Sequence, residues 1–181
     1  MHRSNLTEKL TSYKPTDHAE QIFKQDMLTF LEQHPDCFER TLETGHFTGS
    51  AWLVSKDGTK ALLMHHTKLD RWLQLGGHCD GDSDILAVAL KEAQEESGIN
   101  DIELVNTDIF DIDVHLIPAS SKLPAHYHYD VRFLFRVTSD EEIVQNSESK
   151  ELRWIGKDAN ELPTDATSVT RMFYKWLALK P

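Results

Sequence analysis

In the first part of the chain the apolar residues return at helical spacing: Ile22, Phe23, Met27, Leu28, Phe30 and Leu31 share one side of a helix. Asp17 stands where an N-cap belongs and the pattern fades at His34-Pro35, so residues 1–40 are expected to be largely helical. From Ser50 the character changes. Ala51 to Ser55 reads as a strand, Lys56-Asp57-Gly58-Thr59 as a hairpin turn and Lys60 to His65 as the returning strand. A polar loop holding Lys68, Asp70 and Trp72 follows, and the doublet Gly76-Gly77 opens a further loop to Asp84. Asp84 is a good N-cap for a helix that begins at Ile85-Leu86, runs to Ser97 and stops at Gly98, a residue that tolerates the left-handed conformation common at helix ends.

Beyond Gly98, strands are expected around residues 102–105, 109–115 and 128–137. The last alternates cleanly, with Tyr129, Val131, Phe133, Phe135 and Val137 on one face and Asp130, Arg132, Leu134 and Arg136 on the other. A short strand at residues 152–155 and a helix over 168–179 complete the chain. Strands and helices interleave without the regular alternation of a doubly wound parallel sheet. The expected class is therefore α+β, a mixed, partly antiparallel sheet covered by helices.

Composition narrows the function classes. The 181 residues are 39% hydrophobic and 27% charged, as in ordinary soluble proteins, and suit a single domain with an N-terminal helical extension over about residues 1–45. No run approaches the roughly 18 apolar residues that crossing a bilayer needs, and the N-terminus lacks the apolar core of a signal peptide. A cytoplasmic protein with no membrane partner is expected. Cys37 and Cys79 show no metal-type spacing and read as free thiols. The net charge of −11 repels a polyanion, which argues against extended nucleic acid as a partner. A small phosphorylated ligand stays compatible with this charge, because a divalent cation can bridge its phosphates to protein carboxylates.

Candidate chemistry concentrates in the segment from Gly76 to Ile99. On a helix, Glu92, Glu95 and Glu96 are related by i, i+3 and i+4 and crowd one stripe, which continues through Ile85, Val88 and Ala89. Leu86, Leu90 and Ala93 form a second apolar edge beside it. Partly shielded carboxylates repel one another, and a hard divalent ion relieves that repulsion. The segment resembles the Nudix box, G-x5-E-x7-R-E-U-x-E-E-x-G-U with U a bulky apolar residue. Gly77 takes the first glycine, Glu92, Glu95 and Glu96 the later glutamates, and Gly98-Ile99 the closing pair. Three positions depart: Ser83 replaces the first glutamate, Lys91 the arginine, and Ala93 is small.

The resemblance, looser outside the box over roughly residues 48–157, implies a Nudix-like α/β/α sandwich. It also implies a hydrolase that cleaves a phosphoanhydride bond in a nucleoside diphosphate derivative or similar small organic diphosphate. Mg²⁺ or Mn²⁺ would be held by Glu92, Glu95 and Glu96 with the Gly77 carbonyl, the same glutamates serving as the catalytic residues. The alternative is a Nudix-fold binding module or sensor that has lost turnover, for which Ser83 and Lys91 speak. Lys91, a point charge rather than a planar fork, is expected to pair with Asp82 or Asp80. A later loop carboxylate, Glu148 or Glu151, is implied as base or extra metal ligand. A homodimer is among the arrangements left open.

His65, Lys68, Trp72, Asp130 and Glu148 are the candidate substrate-binding residues, with Arg71 and Arg132 as further cations for phosphate oxygens. His126, His128 and Asp130 alternate along one strand, as His-x-His metal ligands do, but a zinc site needs further ligands that the sequence does not place. Lining a cleft or the sheet surface without metal is the alternative for these three.

Overall fold

The computed structural model describes residues 2–120 and 123–179; Met1, the first residue of the segment expected to be helical, lies outside them. Helices α1 (Ser4–Ser12) and α2 (His18–Gln33) precede a curled mixed sheet. Its strands are β1 (Gly45–Val54), β2 (Ala61–His66), β3 (Arg71–Leu73), β4 (Leu75–His78), β5 (Ile102–Leu104), β6 (Asp111–Ile117), β7 (His126–Val137) and β8 (Ser149–Ile155). Helix α3 (Ile85–Ser97) follows β4, and α4 (Thr167–Ala178) closes the fold. The central strand is β1, parallel to β7 along its length and antiparallel to β4 over Thr48 to Ala51 and to β2 at Val54. Strand β6 extends the sheet beyond β7, and β8 lies beside β2.

The helix ends follow the sequence. The Asp17 carboxylate accepts the Glu20 N–H at 2.8 Å and starts α2; the Asp84 carboxylate accepts the Ala87 N–H at 3.1 Å and starts α3. Gly98 ends α3 in the left-handed conformation at φ 75°. The hairpin turn also forms as read, with Asp57 Oδ1 accepting the Ser55 hydroxyl and the Thr59 N–H.

Strand alternation divides the apolar residues between two cores. On one face Phe47, Ala51, Leu53, Leu62, Met64, Val131, Phe133 and Phe135 pack with Ile85, Val88, Ala89 and Ala93 of α3. The N-terminal residues Leu6, Leu10, Met27, Phe30, Leu31, Cys37 and Phe38 enter the same core, so α1 and α2 cover the part of the sheet that α3 does not reach. On the other face Trp52, Val54, Ala61, Leu63 and Leu134 pack under Val169, Met172, Phe173 and Trp176 of α4. The result is the expected α/β/α sandwich.

Two segments differ from the sequence reading. Residues 71–78, expected as loop, contain β3 and β4. Both are very short, and β4 exists because Gly76 and Gly77 lie beside Ser50 and Gly49 of β1. Close packing accounts for the glycine at position 49: a Cβ there would stand 2.7 Å from the Ile85 carbonyl oxygen and 3.2 Å from the Ala89 nitrogen of α3. Strand β1 starts at Gly45, ahead of the expected Ala51, because its pairing with β7 continues to Tyr127.

Candidate active site

The C-terminal half of α3 faces β4 and the loop after residue 138. Glu96 is 3% exposed and accepts the Gly76 N–H at 2.8 Å. Burial raises its pKa to about 8; the Gly76 hydrogen bond opposes the shift, and the charges of Glu92, Glu148 and Glu95 add to it. Glu92 is half-buried and also raised, first by burial, with Lys91 opposing and Glu95 and Glu148 adding. Gly77 leaves room for its carboxylate, since a Cβ at that position would stand 2.5 Å from the Glu92 carboxyl carbon. Glu95 lies outward and pairs with Lys91 at 3.3 Å. The three glutamates expected on one stripe are thus graded: Glu96 innermost, Glu92 at the wall, Glu95 at the rim.

Glu148 adds a fourth negative charge. Its backbone carbonyl accepts the Thr67 N–H at 2.8 Å, its N–H donates to Asn146 Oδ1, and the Asn146 amide donates to the Glu95 carbonyl at 3.2 Å. This loop is tied across the end of α3, and Glu148 acts on both Glu92 and Glu96. Glu151 pairs instead with Arg153. Clustered carboxylates of this kind suit a hard divalent ion such as Mg²⁺ or Mn²⁺, and the side-chain-free position at Gly77 gives Glu92 the space to turn toward one.

The loop before α3 is held differently from expectation. Lys91 is not paired with Asp80 or Asp82; it is drawn to Glu95, one helical turn on. Arg40 from the N-terminal segment grips Asp80 with both Nε and Nη2. The Phe38 carbonyl accepts the Gly81 N–H at 3.0 Å beside it. The segment around Phe38 to Arg40 therefore anchors the loop that Ser83 and Lys91 leave without a charge pair. An aspartate and an arginine 40 positions apart give no local signal of this.

Other candidate residues are dispersed. His65 stacks on Trp72 with ring centroids 5.1 Å apart and meets Asp70 at 2.9 Å, and the Arg153 guanidinium lies over Trp72. Trp72 packs against the α4-side core, so this group lies on the sheet face opposite α3. His66, which alternation turns the other way, is the one that feels the charge of Glu148. Lys68 and Arg71 are exposed around the β2–β3 turn.

Asp130, expected near the substrate, and Arg132, expected at its phosphates, are both enclosed within the protein. Asp130 is 2% exposed and accepts from Thr48 at 2.8 Å, Ser50 at 2.7 Å, Gln74 at 3.1 Å and Arg132 at 2.7 Å. Arg132 is equally buried and also reaches Asp111 at 2.8 Å. Arg171 and Lys175 of α4 complete this network, at 2.9 Å and 2.7 Å from Asp111, and Lys175 also meets Glu20 of α2. An alternating strand cannot reveal that its polar face is covered.

Comparison with known proteins agrees with this architecture. The chain superposes on a Nudix-family hydrolase from Clostridium perfringens with TM-score 0.57 and 27% identity, over 75% of this chain and 98% of that one. A MutT Nudix hydrolase from Burkholderia pseudomallei aligns at TM-score 0.55 and 22% identity, over 75% and 99%. An Ap4A hydrolase from C. elegans aligns at 0.52 and 16%, over 73% and 95%. At such identities the last two show a shared fold alone. No curated protein matches the sequence. The family model of the NUDIX domain matches residues 46–177, which takes in the acidic helix and the sheet that supports it, and the chain belongs to the Nudix family.

Proposed function

We propose that the protein hydrolyses a phosphoanhydride bond in a small organic diphosphate, such as a nucleoside diphosphate derivative, with Mg²⁺ or Mn²⁺ at the acidic end of α3. The observation that carries this reading is the buried Glu96 carboxyl, held against β4 by the Gly76 N–H amid the charges of Glu92 and Glu148. A family member that buries a carboxyl beside other carboxylates bears a cost that cation binding removes. Glu92, Glu95 and Glu96, with the Gly77 carbonyl, would hold the ion. Once bound, it supplies Lewis acidity to the phosphoryl oxygens and lowers the pKa of an attacking water.

The remaining work falls to the chain itself. Glu96, the innermost of the three glutamates, would bring its carboxylate to the ion, with the Gly76 N–H holding its orientation. Glu148, carried on the loop tied to Glu95, would orient that water or accept its proton. Lys68 and Arg71 at the β2–β3 turn can attract phosphate charge.

The competing reading is a binding module without turnover, favoured by the absence of a charge pair between residues 83 and 91. A screen of nucleoside diphosphate sugars, dinucleoside polyphosphates and oxidised nucleotides with Mg²⁺, read by coupled phosphate release, separates the two. Turnover lost in Glu96→Gln, with the fold retained, supports hydrolysis. Ligand-induced thermal shifts without turnover favour the module.

A further inference from the structure

Five histidines gather on the sheet face opposite the α3 glutamates. Strand alternation turns His46 of β1, His78 of β4, His126 and His128 of β7 and His115 of β6 the same way. His46 is the hub, with ring centroids 4.8 Å from His128, 5.1 Å from His78 and 5.1 Å from His126. Among the described residues, His46, His78 and His128 can each offer one ring nitrogen such that the three lie within 4.8 Å of one another.

Ring packing alone leaves this group unsatisfied. His46 is 2% exposed and neither of its ring nitrogens meets a hydrogen-bond partner. The Nε2 of His128 is also buried without one. Burying a polar nitrogen with no partner is costly, and such groups in a native fold call for an occupant. The two remaining histidines are already engaged, His126 Nδ1 with the Pro124 carbonyl at 2.9 Å and His115 Nδ1 with Asp113 at 3.0 Å. Burial together with the neighbouring histidines lowers the pKa of both His46, to about 4, and His128. Neutral imidazoles keep the lone pair that a metal ion takes.

We propose that His46, His78 and His128 form a second metal site, for one borderline transition-metal ion of the Zn²⁺ type, separate from the acidic cluster of α3. Imidazole suits Zn²⁺, Cu²⁺ or Ni²⁺, whereas Mg²⁺ takes oxygen, so the two sites select different ions. Three histidines with a fourth position left for water, or for the free Nε2 of His126, is a known zinc arrangement. Tetrahedral Zn–N bonds of about 2.1 Å set nitrogens ~3.4 Å apart, so the rings need to close by roughly an ångström. The Leu42 backbone, which opposes the effect of burial on the His46 ring, would take the N–H left over once the other nitrogen is ligated. Such an ion pins β4 to β1 and β7. Because His78 and Gly77 are consecutive and point to opposite faces, it also fixes the strand against which Glu92 and Glu96 lie.

The test uses the full chain freed of metal by a chelator. Titration with Zn²⁺ in a calorimeter, and with Co²⁺ followed by its ligand-field absorption, is expected to show one equivalent bound, with Zn²⁺ displacing Co²⁺ and excess Mg²⁺ failing to do so. His128→Gln and His78→Gln are each expected to weaken Zn²⁺ binding about a hundredfold or more, whereas the Glu92→Gln and Glu96→Gln double variant keeps it. His78 is only half-buried, so His78→Gln decides the matter if His128→Gln does not fold. No stoichiometric Zn²⁺ binding by the wild-type chain, or binding unchanged in His78→Gln, overturns the proposal.

Discussion

Gly76 donates its backbone N–H to Oε2 of Glu96 over 2.8 Å, and this bond joins β4 to the last turn of α3. It fixes the most buried carboxyl of the helix at the edge of the sheet, where burial and its acidic neighbours raise its pKa from the usual 4.5 to about 8. The bond favours the ionised form and the surroundings disfavour it, so the balance at neutral pH is set by whatever cation is near.

A carboxyl whose folded pKa is raised stabilises the fold fully below its unfolded value and loses that contribution as pH rises through the folded one. The melting temperature of metal-free protein should therefore carry a component that falls between pH 4.5 and about 8. Glu96→Gln should remove it. Mg²⁺ favours the ionised carboxylate, so the stabilisation it confers should grow over the same interval. A Mg²⁺ effect that is flat with pH would contradict this.

Gly77→Ala and Gly49→Ala should part company. The nearest atoms to the new methyl at residue 77 are those of the movable Glu92 carboxyl, so the fold should persist while the response to Mg²⁺ weakens. At residue 49 it meets the backbone of α3, which has to shift, at a cost of about 1–3 kcal/mol. Thermal melts with and without Mg²⁺ measure both effects.

Arg40→Ala should loosen the loop before α3, seen as faster amide exchange at residues 80–82, while Lys91→Ala leaves it unchanged. The Arg40–Asp80 pair is half-exposed, so its loss should lower global stability by less than ~1 kcal/mol. Equal exchange in the two variants would return the loop-holding role to Lys91.

Arg132→Leu leaves Asp130, Asp111 and Asp113 buried with one cation fewer and should cost about 3–5 kcal/mol in a denaturant titration. Despite burial, hydrogen bonds from Arg171 and the charge of Arg132 hold Asp111 below its usual 3.8, and Asp113 is lowered by its His115 hydrogen bond first, then by the charge of Arg132 and the Arg171 hydrogen bond. Depressed carboxylates give stability that is present above the unfolded value and lost as pH falls through the folded one. Wild-type unfolding in acid should thus begin below pH 3.8, and the variant should unfold at higher pH.

The parts of this structure legible in the sequence are those fixed by local chemistry. Asp17, Asp84 and Gly98 set helix ends through bonds and backbone conformations a few residues long, and the spacing of Glu92, Glu95 and Glu96 follows from the helical repeat. Features made by distant chain segments were not legible. Strand β4 depends on β1 lying beside it, and Arg40 reaches Asp80 from the N-terminal segment. Arg132 looks like a surface cation until α4 covers it with Arg171 and Lys175. The alternation of His126 and His128 was visible, but their partners His46 and His78 arrive on β1 and β4.

The measurement that bears most directly on the acidic cluster is a Mn²⁺ titration of metal-free protein followed by electron paramagnetic resonance. Saturable binding is expected in the wild type and in His128→Gln, with loss of that binding in the Glu92→Gln and Glu96→Gln double variant. Mn²⁺ held equally well after both carboxylates are removed would contradict the assignment of the α3 glutamates as a cation site.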